Sequence, residues 1–284
     1  MKVLRDMNFP AERALYGAKD VKLINCSFAG EEDGESALKE SHGVTLEDCF
    51  MDLRYPLWHD TDVVIKNVEM TEKCRAALWY TRGINISASK LHGIKALREC
   101  ADIIIEDTDI VSPEFGWKCR GVDMKNCALQ SEYLFLMSSD IVWKDVTFKG
   151  KYSFQYAHDV KIEDCVLDTK DAFWHAEHVY VRNCTVKGEY LAWYSNDVTF
   201  ENCFIAGTQP FCCCTGLKLI NCRTEGCDLS FEYSDVEADI KGDIVSVKNP
   251  RSGYINADTI GEVILTDDSV YPCECRIVRS SDNK

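Results

Sequence analysis

A chain of 284 residues that is 46% apolar, with 12 Phe, 12 Tyr and 6 Trp, has ample surface to bury and is not a disordered polymer. Its net charge of −15, from 47 acidic against 32 basic residues, repels a phosphate backbone and excludes nucleic acid as a partner. No run approaches the ~20 apolar residues of a membrane span, and the opening Met1-Lys2-Val3-Leu4-Arg5-Asp6 lacks the apolar run of a signal peptide, so the expected location is the cytoplasm. In that reducing setting the 16 cysteines read as free thiols. No CxxC pair occurs; Cys212-Cys213-Cys214 and Cys273-x-Cys275 are the nearest approaches, so neither metal nor cofactor is expected.

In chain order, residues 1–14 precede the first repeat and are expected to cap one end. An aliphatic anchor then recurs at Val21, Val44, Val63, Ile84, Ile103, Val122, Ile141, Val160, Val179, Val198, Leu217 and Val236. From Ile84 onward all eight steps are 19 residues. Apolar residues two places further on, from Leu23 and Leu46 to Leu219 and Ala238, mark a half-buried strand of period two. Asp or Gly stands before nearly every anchor, and Asn or Asp four places after it; both predict turns that enter the left-handed region. Cys26, Cys49, Cys127, Cys165, Cys184, Cys203 and Cys222 follow in one column, which Val68 and Val146 share, so Cys acts there as a small apolar residue. A second inward strand runs from Phe28 and Met51 to Val186 and Ile205. A third precedes each anchor by six: Leu15, Leu38, Leu57, Leu78, Leu97, Phe135, Phe154, Phe173 and Phe211.

Nineteen residues leave no room for a crossover helix, so three short strands per repeat predict an all-β, parallel β-helix (solenoid) of about 12–13 coils. One continuous core makes residues 1–284 a single domain: an N-terminal cap at 1–14, regular coils at 15–240, and irregular last coils with a C-terminal cap at 241–284. The right-handed crossover rule sets the expected hand.

The chain resembles DUF3737, an uncharacterised bacterial family of pectin-lyase-like, right-handed β-helix proteins. The resemblance runs nearly end to end and rests on Glu12-Arg13-Ala14-Leu15 with Gly17, Leu38-Lys39-Glu40-Ser41, Tyr55-Pro56-Leu57-Trp58, Leu78-Trp79-Tyr80-Thr81, Tyr152-Ser153-Phe154, Lys170-Asp171-Ala172-Phe173-Trp174, Gly188-Glu189-Tyr190-Leu191 and Phe231-Glu232-Tyr233-Ser234. It implies the fold and brings no catalytic residues with it. Polysaccharide lyases and hydrolases share the superfold, which alone does not license their activity.

Function is expected on side chains the core does not need. Glu106, Lys125, Lys144, Glu163, Arg182 and Glu201 form a solvated face of alternating charge, each pair worth ~0.2–1 kcal/mol. Five places before the anchor stand Tyr16, Lys39, Trp58, Trp79, Arg98, Trp117, Leu136, Gln155, Trp174, Trp193, Cys212 and Phe231, a column holding five of the six tryptophans and expected to point outward. Beside it run His59, Tyr80, Glu99, Lys118, Tyr156, His175, Tyr194 and Cys213. The column seven before the anchor (Ala14, Ala37, Pro56, Ala77, Ala96, Phe115, Leu134, Ala172, Leu191, Pro210, Leu229) is expected to face the same way.

Three readings of this aromatic face follow. In the first, Trp58, Trp79, Trp117, Trp174 and Trp193, with Lys39, His59, Tyr80 and Tyr194, line a groove for an oligo- or polysaccharide. In the second, the face buries against another copy of the chain as a homodimer. In the third, the strand's phase differs and some tryptophans belong to the core. Lys39 is expected to pack on Trp58, and Arg98 between Trp79 and Trp117. Candidate catalytic groups of a lyase or hydrolase are Arg98, Glu99 and Lys118, whose two cations flank an acid, and Tyr156 with His175 as an acid–base pair. Lys39, Glu40, His59 and Asp60 form a further cluster. Glu40 and Glu99 stand about three coils, ~14 Å, apart, too far for a glycosidase pair.

Overall fold

The computed structural model describes residues 1–30 and 34–279; of the expected C-terminal cap, residues 280–284 lie outside them. The chain folds as an all-β parallel β-solenoid of about 14 turns with ~19 residues per turn, and no helix occurs among the described residues. It divides into two compact units, Met1–Thr147 and Phe148–Lys284.

In the first unit the anchors stack in register: Val21 pairs Val44, Val44 pairs Val63, and so on through Ile84, Ile103 and Val122 to Ile141. All are nearly or fully buried, as are Leu23, Leu46, Ile65 and Trp143 two places on. The N-terminal segment adds a strand to this stack, because Lys2–Arg5 pairs in parallel with Val21–Ile24.

Two columns of positive φ turn the chain. Before the anchors stand Asp20, Gly43, Asp62, Gly83, Asp102 and Gly121, all at φ between 49° and 67°. At two of the glycines a Cβ would crowd the preceding coil: one on Gly43 would lie 2.8 Å from the Asp20 carboxylate, and one on Gly83 2.9 Å from that of Asp62. After the anchors, Asn25, Asp48, Asn67, Asp107 and Asn126 sit near +50°, and their side chains link coil to coil through Asn25–Asp6, Asn67–Asp48 and Asn126–Asp107 hydrogen bonds of 2.6 Å.

The second unit repeats this arrangement. Val160, Val179 and Val198 pair in register, as do Leu217 and Val236. Cys165, Cys184, Cys203 and Cys222 are buried, and the last three donate their S–H to Ile162, Val181 and Phe200 carbonyls at 3.7, 3.4 and 3.3 Å. The column therefore combines small apolar volume with a weak donor that satisfies backbone oxygens. Arg182 lies 3.9 Å from Glu163 and 4.0 Å from Glu201, giving the expected charge ladder on the exposed face. Beyond Leu219 the register slips, and Asp235–Lys248 and Ser252–Ile264 run as long strands without the corner turn.

The third side departs from a strand. Among the described residues, only Leu57–Trp58, Leu78–Trp79 and Leu97–Arg98 pair as a small sheet, extended by one bridge from Arg98 to Trp117. Ala77 and Leu78 are both buried, as are Ala96 and Leu97. Two successive inward residues require a bend, so the column at Ala37, Pro56, Ala77, Ala96, Phe115, Leu134, Ala172, Leu191 and Pro210 is interior and not outward. From Gly116 (φ 76°) the central residue itself turns left-handed, at Phe135 in the first unit and at Phe154, Phe173, Ala192 and Phe211 in the second. Its N–H then bonds the preceding coil: Phe135 reaches Phe115 at 2.8 Å and Phe173 reaches Ser153 at 2.8 Å, whereas Leu78 bonds forward to Ala96 at 2.7 Å. Phe231, expected outward, is buried and stacks on Phe211 with centroids 5.5 Å apart, because the last corner is one residue longer. Cys212 is likewise buried.

Candidate functional site

The tryptophan column forms a ladder. Trp58 and Trp79 stack with centroids 5.0 Å apart and planes 1° from parallel. Lys39 covers the other face of Trp58 at 5.6 Å. Arg98 lies 5.0 Å from Trp79 and 5.3 Å from Trp117, a guanidinium sandwiched between two indoles as the spacing predicted. In the second unit Trp174 and Trp193 stack at 5.3 Å and 2°.

Each of the column's five indole N–H groups is also used. Trp58 and Trp79 donate to the Ala76 and Lys95 carbonyls (2.5 and 2.8 Å), Trp117 to Tyr133 (2.5 Å), and Trp174 and Trp193 to Tyr190 and Gln209 (2.7 Å each). Each acceptor directly precedes the small or apolar column, so the rings fold back over Ala77, Ala96, Leu134, Leu191 and Pro210. The five tryptophans are half-buried.

The adjoining row is the exposed one. His59 stacks on Tyr80 at 4.8 Å, and Glu99 pairs with Arg98 at 3.6 Å. Lys118 and Met137 follow, both exposed. In the second unit His175 lies between Tyr156 and Tyr194, at 4.8 and 5.1 Å, with planes within 8°. Tyr156 and Tyr194 are each 50% exposed, far more than a stacked aromatic needs to be. Their side chains present hydroxyls and imidazole nitrogens at one-coil spacing.

Of the candidate catalytic residues, Arg98, Glu99 and Lys118 do lie on adjacent coils of the first unit, and Tyr156 and His175 on adjacent coils of the second. Arg98 is held by two rings and a carboxylate. The His175 ring is held between those of Tyr156 and Tyr194. Among the described residues no group of three or more His, Cys, Asp or Glu could hold a metal ion.

Two features were not anticipated. Asp60 is fully buried in a column otherwise filled by Ser41, Thr81, Ser138 and small residues. One of its carboxyl oxygens accepts the Ser41 N–H at 2.8 Å while the other is unpartnered, and burial, with the Glu40 charge adding to it, pushes it up to about 8. The second is a groove where the corner turn ends after Asn221; the fading of the pattern beyond Ala238 was its only trace in the sequence.

Among solved structures, the chain is similar to the periplasmic alginate epimerase AlgG (9% identity, TM-score 0.31, covering 92% of this chain and 76% of that one). It is also similar to the Azotobacter vinelandii mannuronan C-5 epimerase AlgE4 A-module (11%, 0.28, 98% and 89%) and to the catalytic domain of a GH87 α-1,3-glucanase (11%, 0.25, 99% and 58%). No curated protein matches it in sequence. Residues 2–278 match one family profile, and the chain belongs to DUF3737, the protein family of unknown function.

Proposed function

We propose that this chain is a non-catalytic interaction protein whose third side associates with a second copy through the exposed row. One observation carries this reading: both faces of Trp58 and Trp79, and one face each of Trp117, Trp174 and Trp193, are covered by a neighbouring ring, Lys39 or Arg98. Sugar stacking needs open ring faces, whereas a protein interface is satisfied by ring edges, Tyr hydroxyls and Arg at a flat, partly apolar surface. The exposed Tyr156–His175–Tyr194 ladder supplies such a surface. Sedimentation velocity on the wild type and on Tyr156→Ser/Tyr194→Ser locates it. The double variant is expected to dissociate at least about tenfold more readily, since two central aromatics carry ~1–2 kcal/mol or more. Unchanged association would remove the row from the interface.

Oligosaccharide binding along the same row is the second reading, favoured by its evenly spaced hydroxyl and imidazole groups. Under it the chain stays monomeric, and an added oligosaccharide quenches tryptophan emission.

A further inference from the structure

The solenoid corner carries shallow grooves beside its Asn/Asp ladder, and two of them can be compared directly. One, in the first unit, has a volume of about 310 Å³ and contains Asp48, Glu69 and Lys90. It neutralises itself, since Lys90 lies 3.8 Å from Glu69. The other, in the second unit, has the same volume of about 310 Å³, yet Arg223 and Lys241 are its only charged groups. Neither cation forms an ion pair among the described residues, in a protein of net charge −15. The two stand on adjacent coils, paired in register.

The fold explains why the groove exists. Asn183 donates to Asp164 (3.1 Å), Asn202 to Asn183 (3.4 Å) and Asn221 to Asn202 (2.5 Å). The next coil omits the corner, with a bulge between Leu219 and Cys222, so the amide ladder ends at Asn221 and opens a step in the surface. Phe204, half-buried, makes an apolar floor shared with an adjoining depression of about 650 Å³. That depression is lined by the same Arg223 and Lys241 and by the carboxylates of Glu225, Asp243 and Asp258. The groove thus has an amide-rich end without carboxylates and a carboxylate-bearing end able to accept hydroxyl protons, with Phe204, Arg223 and Lys241 shared by both.

We infer that this groove binds a hydroxylated ring carrying an oxyanion, of monosaccharide size, with the oxyanion on Arg223 and Lys241, the ring over Phe204 and its hydroxyls toward Glu225 and Asp243. A guanidinium offers a carboxylate or phosphate two parallel donors, and Lys241 adds a point charge. Both oxyanions share this chemistry, so the test includes each.

Calorimetric titration of the full chain with glucuronate, glucose 6-phosphate and neutral glucose tests the site. At least one of the two anionic sugars is expected to bind, with affinity about tenfold above that of glucose and weakened by salt. Arg223→Ala/Lys241→Ala, both on the exposed surface, is expected to lower that affinity about tenfold or more, while Lys90→Ala in the self-neutralised groove leaves it unchanged. Whichever anion binds identifies the oxyanion class. Tyr156→Ser/Tyr194→Ser is expected to retain binding, which separates this site from the self-associating row. The inference is overturned if neither anionic sugar binds at about 10 mM, if glucose binds equally well, or if the double variant binds like the wild type.

Discussion

The most deeply buried acid among the described residues sets the chain's most specific pH response. Asp60 occupies a slot that Ser41, Ser138, Ser195 and Ser234 fill elsewhere, and its carboxyl is held neutral to about pH 8 against an ordinary value of 3.8. Because the folded state keeps a proton that the unfolded chain releases, stability falls as pH rises from about 4 to about 8 and levels off above that. The loss amounts to a few kcal/mol, as about four pH units at ~1.4 kcal/mol each would allow as an upper bound. Thermal melts of the wild type should therefore decline across this window, and those of Asp60→Ser should stay flatter. Equal slopes would show that Asp60 ionises freely. His59-Asp60 was legible as a cluster, but burial was not, since the column's interior phase depends on the bend at Pro56–Leu57. The seven-cysteine column shows the opposite case: its period of 19 placed it inside, and Cys49 and Cys127 are indeed buried thiols pushed up by desolvation.

At the scale of the element, the third side shows where periodicity succeeds and where it stops. The anchors and the turns at Asp20, Asp62, Asn67 and Asn126 could be read because each position has one physical requirement repeated coil after coil. The tryptophan column and its cation sandwich were readable for the same reason. Strict alternation failed on Ala77-Leu78 and Ala96-Leu97, where a bend puts consecutive residues inward. That error made the small column look like exposed surface, when it is the floor of a stacked ladder. The ladder is accordingly a stabilising element. Trp79→Ala removes stacking on Trp58 and Arg98 and the bond to the Lys95 carbonyl, and should cost about 2–4 kcal/mol in denaturant melts. Trp79→Phe, which keeps the ring, should cost about 1 kcal/mol. If Trp79→Ala melts like the wild type, the ladder does not hold the coils.

For the whole molecule, the fold followed from the repeat, while function was only partly legible, since a solenoid exposes many equivalent columns and the sequence does not say which side-chain faces remain open. The structure separates an inner row of stacked, half-buried rings from an outer row of Tyr and His that also stack on one another but stand more exposed. It also shows a corner groove that no motif announced, created where Asn221 loses its successor. Self-association through the outer row is the central claim, and light scattering across a dilution series tests it most directly. A mass of about twice 32.3 kDa at high concentration, falling toward 32.3 kDa on dilution, is the predicted result. A mass of 32.3 kDa at every concentration would contradict it.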